Sequence, residues 1–244
     1  FFYVVVPVSL VSTIEKALVA SYPDVQVEPR EDHNIFSKTG KIGVVAGGEM
    51  VMTNDSWYPI QTYKQSEFDA ISAIVTSVSQ LQEGEGAAMQ ILVRSSSKRW
   101  NKKARKAAKR LLHPGDKKHS GKGFTPLDMA KMTYQAPSAD KGKDGQAAGY
   151  NPPDAIDQKK SQLIEEKVSS PTYEVMIRLI ASSSDQTRSK VLIQDMIAGF
   201  TQLNLPGSNG FKLMMSQYPQ NLATNFIFRI FPAWWNKVVL GSSE

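Results

Sequence analysis

The sequence predicts an α+β fold, and three observations predict it. Within residues 1–96 the apolar pattern switches between period 2 and period 3.6 in the order β-α-β-β-α-β, the arrangement of a ferredoxin-like split βαβ unit. Residues 155–244 carry a partial β-α-β pattern of the same kind. Between them lie a cationic stretch at 97–112 and a segment at 113–154 with few apolar side chains to bury. The expected architecture is two ferredoxin-like lobes (βαββαβ and partial βαβ) joined by a basic amphipathic helix and a long flexible hydrophilic linker.

The elements follow in order. Phe1 to Pro7 is a short apolar run rich in β-formers and reads as a buried strand. Ser12 with Glu15 three residues on forms a capping-box pattern. Ile14, Leu18 and Tyr22, with Ala17, then keep helical spacing until Pro23. Val25 to Glu28 alternates like a strand. Ile42 to Thr53 reads as the next strand, with Gly47-Gly48 expected as a bulge or a hairpin turn. A second helix is expected from the Ser66 cap, with Glu67 and Asp69 in its first turn. Its stripe is Phe68, Ile71, Ile74, Val75, Val78 and Leu81. Glu83-Gly84-Glu85-Gly86 ends it, and Ala87 to Val93 returns as a buried strand.

The cationic helix follows that strand directly. Its apolar seam is Trp100, Ala104, Ala107, Ala108, Leu111 and Leu112, and Lys and Arg occupy the rest. From His113 to Asp154 Gly, Lys, Asp, Pro, Ser and Ala dominate, so this stretch marks a boundary or an insertion, with one transient helical turn within Phe124 to Tyr134. Asp157 to Val168 then reads as a polar helix with Ile156, Leu163, Ile164 and Val168 as its stripe, and Pro171 breaks it. Tyr173 to Ala181 is a buried strand. Ser184 and Asp185 cap a helix through Leu203, whose core face holds Val191, Ile193, Met196, Ile197 and Phe200. Pro206-Gly207 ends it and Phe211 to Met215 is a further strand. Phe226 to Phe231 fits a third strand or a short buried helix.

Composition narrows the function classes. The 244 residues, 41% of them hydrophobic, can bury a substantial core. There is no cysteine, hence no disulfide framework and no thiolate chemistry, and a reducing compartment is permitted. No apolar run approaches the roughly 18 residues that span a bilayer. The absence of an initiator Met and the GSSE ending are expected of a piece of a longer chain.

Chemical motifs are sparse. No G-x-x-x-x-G-K-[ST] loop occurs; Gly115 to Ser120 imitates one but lacks the second glycine and the strand–helix setting. Gly47-Gly48 precedes no helix, which argues against a dinucleotide cradle. His33, His113 and His119 lack metal-ligand spacing, and no Ser-His-Asp set is visible. Glu83 and Glu85 flank a glycine turn, and Glu165-Glu166 lie on a polar helix face. An acid/base pair there would need burial to separate its pKa values. Trp234-Trp235, with Lys237 the only basic neighbour, reads as core or interface rather than as a base-stacking platform. No catalytic residue, metal or cofactor is expected.

The charge distribution is the distinctive feature. The chain nets +6, and Lys98, Arg99, Lys102, Lys103, Arg105, Lys106, Lys109 and Arg110 contribute +8 within KRWNKKARKAAKR, so the remainder nets −2. A solvated surface helix that aids solubility is the bland reading. Eight like charges without an acid at i±4 repel one another, however, and call for a compensating anion. Nucleic-acid phosphate and an anionic membrane surface are both candidates. The seam has one aromatic, Trp100, and no Phe/Leu-rich wedge, which favours phosphate or an acidic protein partner. These eight residues are the candidate nucleic-acid or anion-binding site.

Four segments together resemble a known family: SWYPIQTY (Ser56 to Tyr63), LQEGEGAAMQILVRS (Leu81 to Ser95), W-x-K-K-A-x-K (Trp100 to Lys106) and YEVMIRLIASSSDQTRSKVLIQDMIAGFTQLN (from Tyr173). They are similar to the pre-motor region of type IV secretion and conjugation DNA-translocating ATPases of candidate-phylum bacteria, relatives of the HerA/FtsK motors. The resemblance implies two α+β units, separated by a basic helix and a variable linker, lying between a membrane segment and a phosphate-loop motor. This chain carries no Walker motif, so nucleotide hydrolysis passes to no residue here.

The expected function is therefore a non-catalytic accessory domain of a membrane-associated translocation ATPase, assisting assembly or DNA guidance through the cationic helix. The resemblance places it, as part of a longer chain, at the cytoplasmic face of a bacterial membrane. Its expected partners are DNA or an acidic protein surface, the motor domain of the parent chain, and further copies of itself. The rival expectation is an oligomerisation or protein-interaction module that makes no contact with nucleic acid.

Overall fold

Five strands, every neighbouring pair antiparallel, form one sheet in the computed structural model, which describes residues 2–30, 44–62, 70–79, 81–113, 154–231, 238–242 and 244. The strands are β1 (Val44–Met52), β2 (Gly86–Ser95), β3 (Thr172–Ser183), β4 (Phe211–Met215) and β5 (Val238–Gly241). The helices are α1 (Val11–Ser21), α2 (Ala70–Val78), α3 (Lys98–Leu112), α4 (Ala155–Ser169), α5 (Gln186–Phe200) and α6 (Pro219–Ile227). The α+β class is as the sequence predicts.

The sheet runs β2-β3-β1-β4, and β5 joins β3 as well. β2 lines one whole side of β3, from Ser95↔Tyr173 to Gly86↔Ser182. The other side is shared: β5 takes Thr172 to Val175 and β1 takes Arg178 to Ser183. β3 is thus covered on both edges and both faces, which explains its near-continuous apolar sequence. β1 and β2 come from the first half of the chain and β3 to β5 from the second. The two halves therefore share one sheet, and among the described residues neither closes a βαββαβ sheet of its own. Local alternation marks a segment as a strand but does not choose its partner, and the partners here lie across the chain.

The expected strands at Phe1–Pro7 and Val25–Glu28 are not formed: residues 2–7 and 25–30 are irregular, with exposed side chains apart from the half-buried Val6. Their β-propensity finds no ladder, because β1 pairs with β3 and β4 instead. The first helix starts at Val11 after a 3₁₀ turn (Val8–Leu10), and neither Ser12 nor any other side chain caps it. Gly47 and Gly48 make neither turn nor bulge. They lie inside β1, where a Cβ would overlap the carbonyls of Leu179 and Met214, so only glycine allows this approach of the neighbouring strands. The helix expected through Leu203 ends at Phe200 and tightens into a 3₁₀ turn at Thr201–Leu203. Phe226 to Phe231 forms neither the expected strand nor a buried helix: α6 ends at Ile227, and residues 228–231 form an exposed turn and its exit, with Phe228 72% exposed. The strand after it, β5, has no counterpart among the expected elements. The linker segment at 114–153, the Ser66 cap, His33, His119 and Trp234-Trp235 lie outside the described residues.

Odd-numbered residues of β3 face the main core. Val175, Ile177, Leu179 and Ala181 pack with Ala46 and Met50 of β1, Ile74 of α2, and Leu192, Ile193, Met196 and Phe200 of α5. Phe200 meets Phe211 edge to face at 5.6 Å between centroids. Each fully buried side chain of this size contributes about 1.5–3 kcal/mol. Even-numbered residues face the opposite side, where α6 seats Leu222 against Gly47. At the other end Val239 of β5 joins Trp100, Ala104 and Ala108 of α3 and Ile164 and Val168 of α4 in a second core.

Candidate nucleic-acid interface

The cationic helix is formed and firmly mounted. Ser97 caps α3, its hydroxyl accepting from the Trp100 amide at 3.3 Å. The Trp100 indole is buried and donates to the Ser56 hydroxyl at 2.8 Å, tying α3 to the SWYP segment. Ala104 and Ala108 are fully buried, and their small side chains let α4 approach closely. There Ser161 donates its hydroxyl to the Ala108 carbonyl at 3.1 Å. At the base, Thr172 of β3 donates to the Asn101 side chain at 3.1 Å. The expected seam is thus the mounting surface, with Leu111 partly buried beside it.

All eight basic side chains of α3 are exposed. Among the described residues no carboxylate forms an ion pair with any of them. With 3.6 residues per turn they fall into two rows: Lys98, Lys102, Arg105 and Lys109 form one, and Arg99, Lys103, Lys106 and Arg110 the other. Each row runs eleven residues, about 16 Å of helix axis. Lys109 and Arg110 lie in the last turn, where the helix dipole favours cations, but Lys98 and Arg99 sit at the end it disfavours. Fold packing accounts for the seam and leaves the two rows without a structural task.

Four charged residues of the sheet, Glu49, Arg94, Glu174 and Arg178, are paired inside the protein. Arg178, fully buried at the centre of β3, donates to Glu49 of β1 at 3.0 Å and to Gln90 of β2 at 3.0 Å. Both partners lie directly opposite it in register. It also donates to the Asn225 carbonyl at 3.1 Å and to the Ile230 carbonyl, so one guanidinium fastens α6 and its following turn to the sheet. In that turn Arg229 holds a positive φ of 52°. Four residues away along β3, Glu174 accepts from Arg94, which also stacks over Phe231 at 4.0 Å.

Lys167 of α4 is buried, its ammonium 2.9 Å from the Glu244 carboxylate. Glu244 also accepts from the Ile60 and Gly241 amides at 2.9 and 2.6 Å. Burial pulls the Lys167 pKa below the ordinary lysine value, and the Glu244 charge partly opposes this. Glu85 accepts two bonds from Arg188, at 2.8 and 3.0 Å, which hold its carboxyl below the usual range with help from the Gln82 amide. Glu85 is therefore committed to an ion pair, while Glu83, Glu165 and Glu166 are exposed. Asn209 bridges two loops: its carbonyl accepts from Thr53 and the Asn54 and Gly210 amides, and its amide donates to the Asp55 and Tyr58 carbonyls.

These polar centres were not among the expected sites, although each leaves a trace in the sequence. Glu174 and Arg178 are the two charged residues of YEVMIRLIA, and Glu49 in GGEMVM and Gln90 in AAMQILV are single polar residues in otherwise apolar strands. Among the described residues there is no cluster of metal-ligating side chains, and no helix is long and apolar enough to cross a membrane.

No curated protein and no solved structure matches the chain. Residues 1–209 match the model of a domain family of unknown function, DUF8128, a match that includes α3 and the segments that mount it. The chain belongs to the DUF8128 family.

Proposed function

We propose that this domain is a non-catalytic, polyanion-contacting accessory domain that lies beside a membrane-associated DNA-translocating ATPase and assists its assembly or guides its DNA. The carrying observation is the two exposed rows of four cations on a helix whose apolar seam is already consumed by packing. A helix built only for solubility gains nothing from such crowding, whereas phosphates relieve it and release counterions. The association with a translocation motor rests on the resemblance of four segments. In this fold two of them hold the helix through Ser56 and Trp100, and Glu85 and Arg188 join the other two.

The test is duplex DNA binding followed by fluorescence anisotropy at low salt. Wild type is expected to bind, and Lys102→Glu/Arg105→Glu/Lys106→Glu/Lys109→Glu is expected to lose most of that affinity with an unchanged circular dichroism spectrum. If about four phosphates are neutralised, raising salt fourfold weakens wild-type binding roughly 100-fold. Undetectable binding at low salt, or binding indifferent to the four reversals, overturns the proposal.

A further inference from the structure

The N-terminal arm and the outer edge of β2 are two largely exposed surfaces, among the described residues, that complement each other. No residue of 2–30 is buried, and Phe2 and Val8 are 79% and 91% exposed. The arm is nevertheless part of the family domain, because the family match begins at residue 1. Phe2 to Pro7 is uncharged and rich in β-formers, and α1 then carries Val11, Ile14 and Leu18 along one face. An eleven-residue helix without a fully buried side chain is marginal in water, so the arm needs a surface to lie on.

β2 offers one. It pairs with β3 along its length, and no described strand occupies its other side. Ile91 and Val93 lie on the face of the main core, opposite Ile177 and Val175 in register, yet are 50% and 59% exposed. From Gly86 to Val93 the strand has no charge and no proline, the usual guards of a sheet edge. Arg94 is held by Glu174. A six-residue strand of about 20 Å fits the open stretch around Ile91 to Ser95. Pro7 would end the new ladder, and α1 would fold back over the Ile91–Val93 face. The arm thus carries both the strand and the covering helix that this edge lacks. Among the described residues, the fold of one chain leaves both surfaces exposed or half-exposed.

We propose that the arm of one copy adds as a strand to the β2 edge of a second copy, so that the domain assembles by arm exchange. The experiment is light scattering on size-exclusion peaks across a concentration series. Wild type is expected to run as a dimer or larger. A chain lacking residues 1–21, in which residues 2–21 have no buried side chain, and the edge variant Ile91→Lys/Val93→Glu are each expected to be monomeric. Mixed together, they are expected to form a one-to-one heterodimer, since one keeps the edge and the other the arm. Val4→Lys, a mild arm variant, is expected to raise the dissociation constant at least tenfold and decides the matter if the edge variant misfolds. A monomeric wild type, or an oligomer that survives both arm changes, overturns the proposal. So does a monomer whose arm instead mediates sedimentation with phosphatidylserine vesicles.

Discussion

The molecule treats positive charge in two opposite ways. Inside, Arg178 and Lys167 are enclosed and every charge has a named partner: Glu49, Gln90 and two carbonyls for the first, Glu244 and the Tyr58 carbonyl for the second. Outside, α3 carries eight cations in two rows, without an ion pair among the described residues. A buried charge is tolerated only when compensated within the fold, so the interior cations fasten strands, helices and turns together. The exposed cations are compensated by nothing described in the chain. The difference separates residues whose loss should unfold the domain from residues whose loss should only blind it to a polyanion.

The sharpest way to break this comparison is at the centre of the sheet. Arg178→Ala leaves Glu49 half-buried and unpaired and removes the donor to the Ile230 carbonyl, and should cost about 3–5 kcal/mol in urea unfolding. A cost near that of a surface substitution would put Arg178 in the wrong class. Lys167→Met should cost about 3 kcal/mol by stranding the Glu244 carboxylate, whereas Lys167→Met/Glu244→Gln should recover most of the loss. The lowered Lys167 pKa fixes the sign of a pH effect. Between that value and the ordinary lysine value the unfolded chain binds more protons than the fold, so this group makes stability rise with pH, and the double variant should lack the rise.

Smaller effects sharpen the contrast further. Ser56→Ala should cost about 1 kcal/mol through the lost partner of the Trp100 indole, measured as a shift in the urea midpoint. The depressed Glu85 pKa gives the Glu85–Arg188 pair a contribution that is complete above the ordinary carboxylate value and fades as pH falls through the lowered one. Glu85→Gln should therefore flatten the acid limb of the stability profile. The smallest expected effect on stability is that of the four α3 reversals, which touch only exposed side chains.

How much of this was legible in the sequence varies by element. Helices α3, α4 and α5 and strands β1 to β4 were legible, because 3.6- and 2-residue periodicities report burial directly. Trp100, Ala104 and Ala108 could be picked as the seam of α3 for the same reason. The sheet order was not legible: β3 recruits β1 and β2 from the other half, and pairing across such distances leaves no local trace. Phe1 to Pro7 looked like a strand because its residues favour one, but a ladder partner decides the outcome. The candidate cations were visible as a charge run. The paired interior groups were visible only as sparse polar residues in apolar strands, and their meaning depends on neighbours distant in sequence.

The account stands or falls on whether the outer rows meet phosphate. The most direct measurement is the slope of log affinity against log salt for duplex DNA, compared between wild type and the row variant Lys98→Ala/Lys102→Ala/Arg105→Ala/Lys109→Ala. The expected result is a steep negative slope, about −3 or beyond, that becomes shallower by two or more in the variant while its urea midpoint stays in place. A shallow wild-type slope, or one that the variant leaves unchanged, would contradict it.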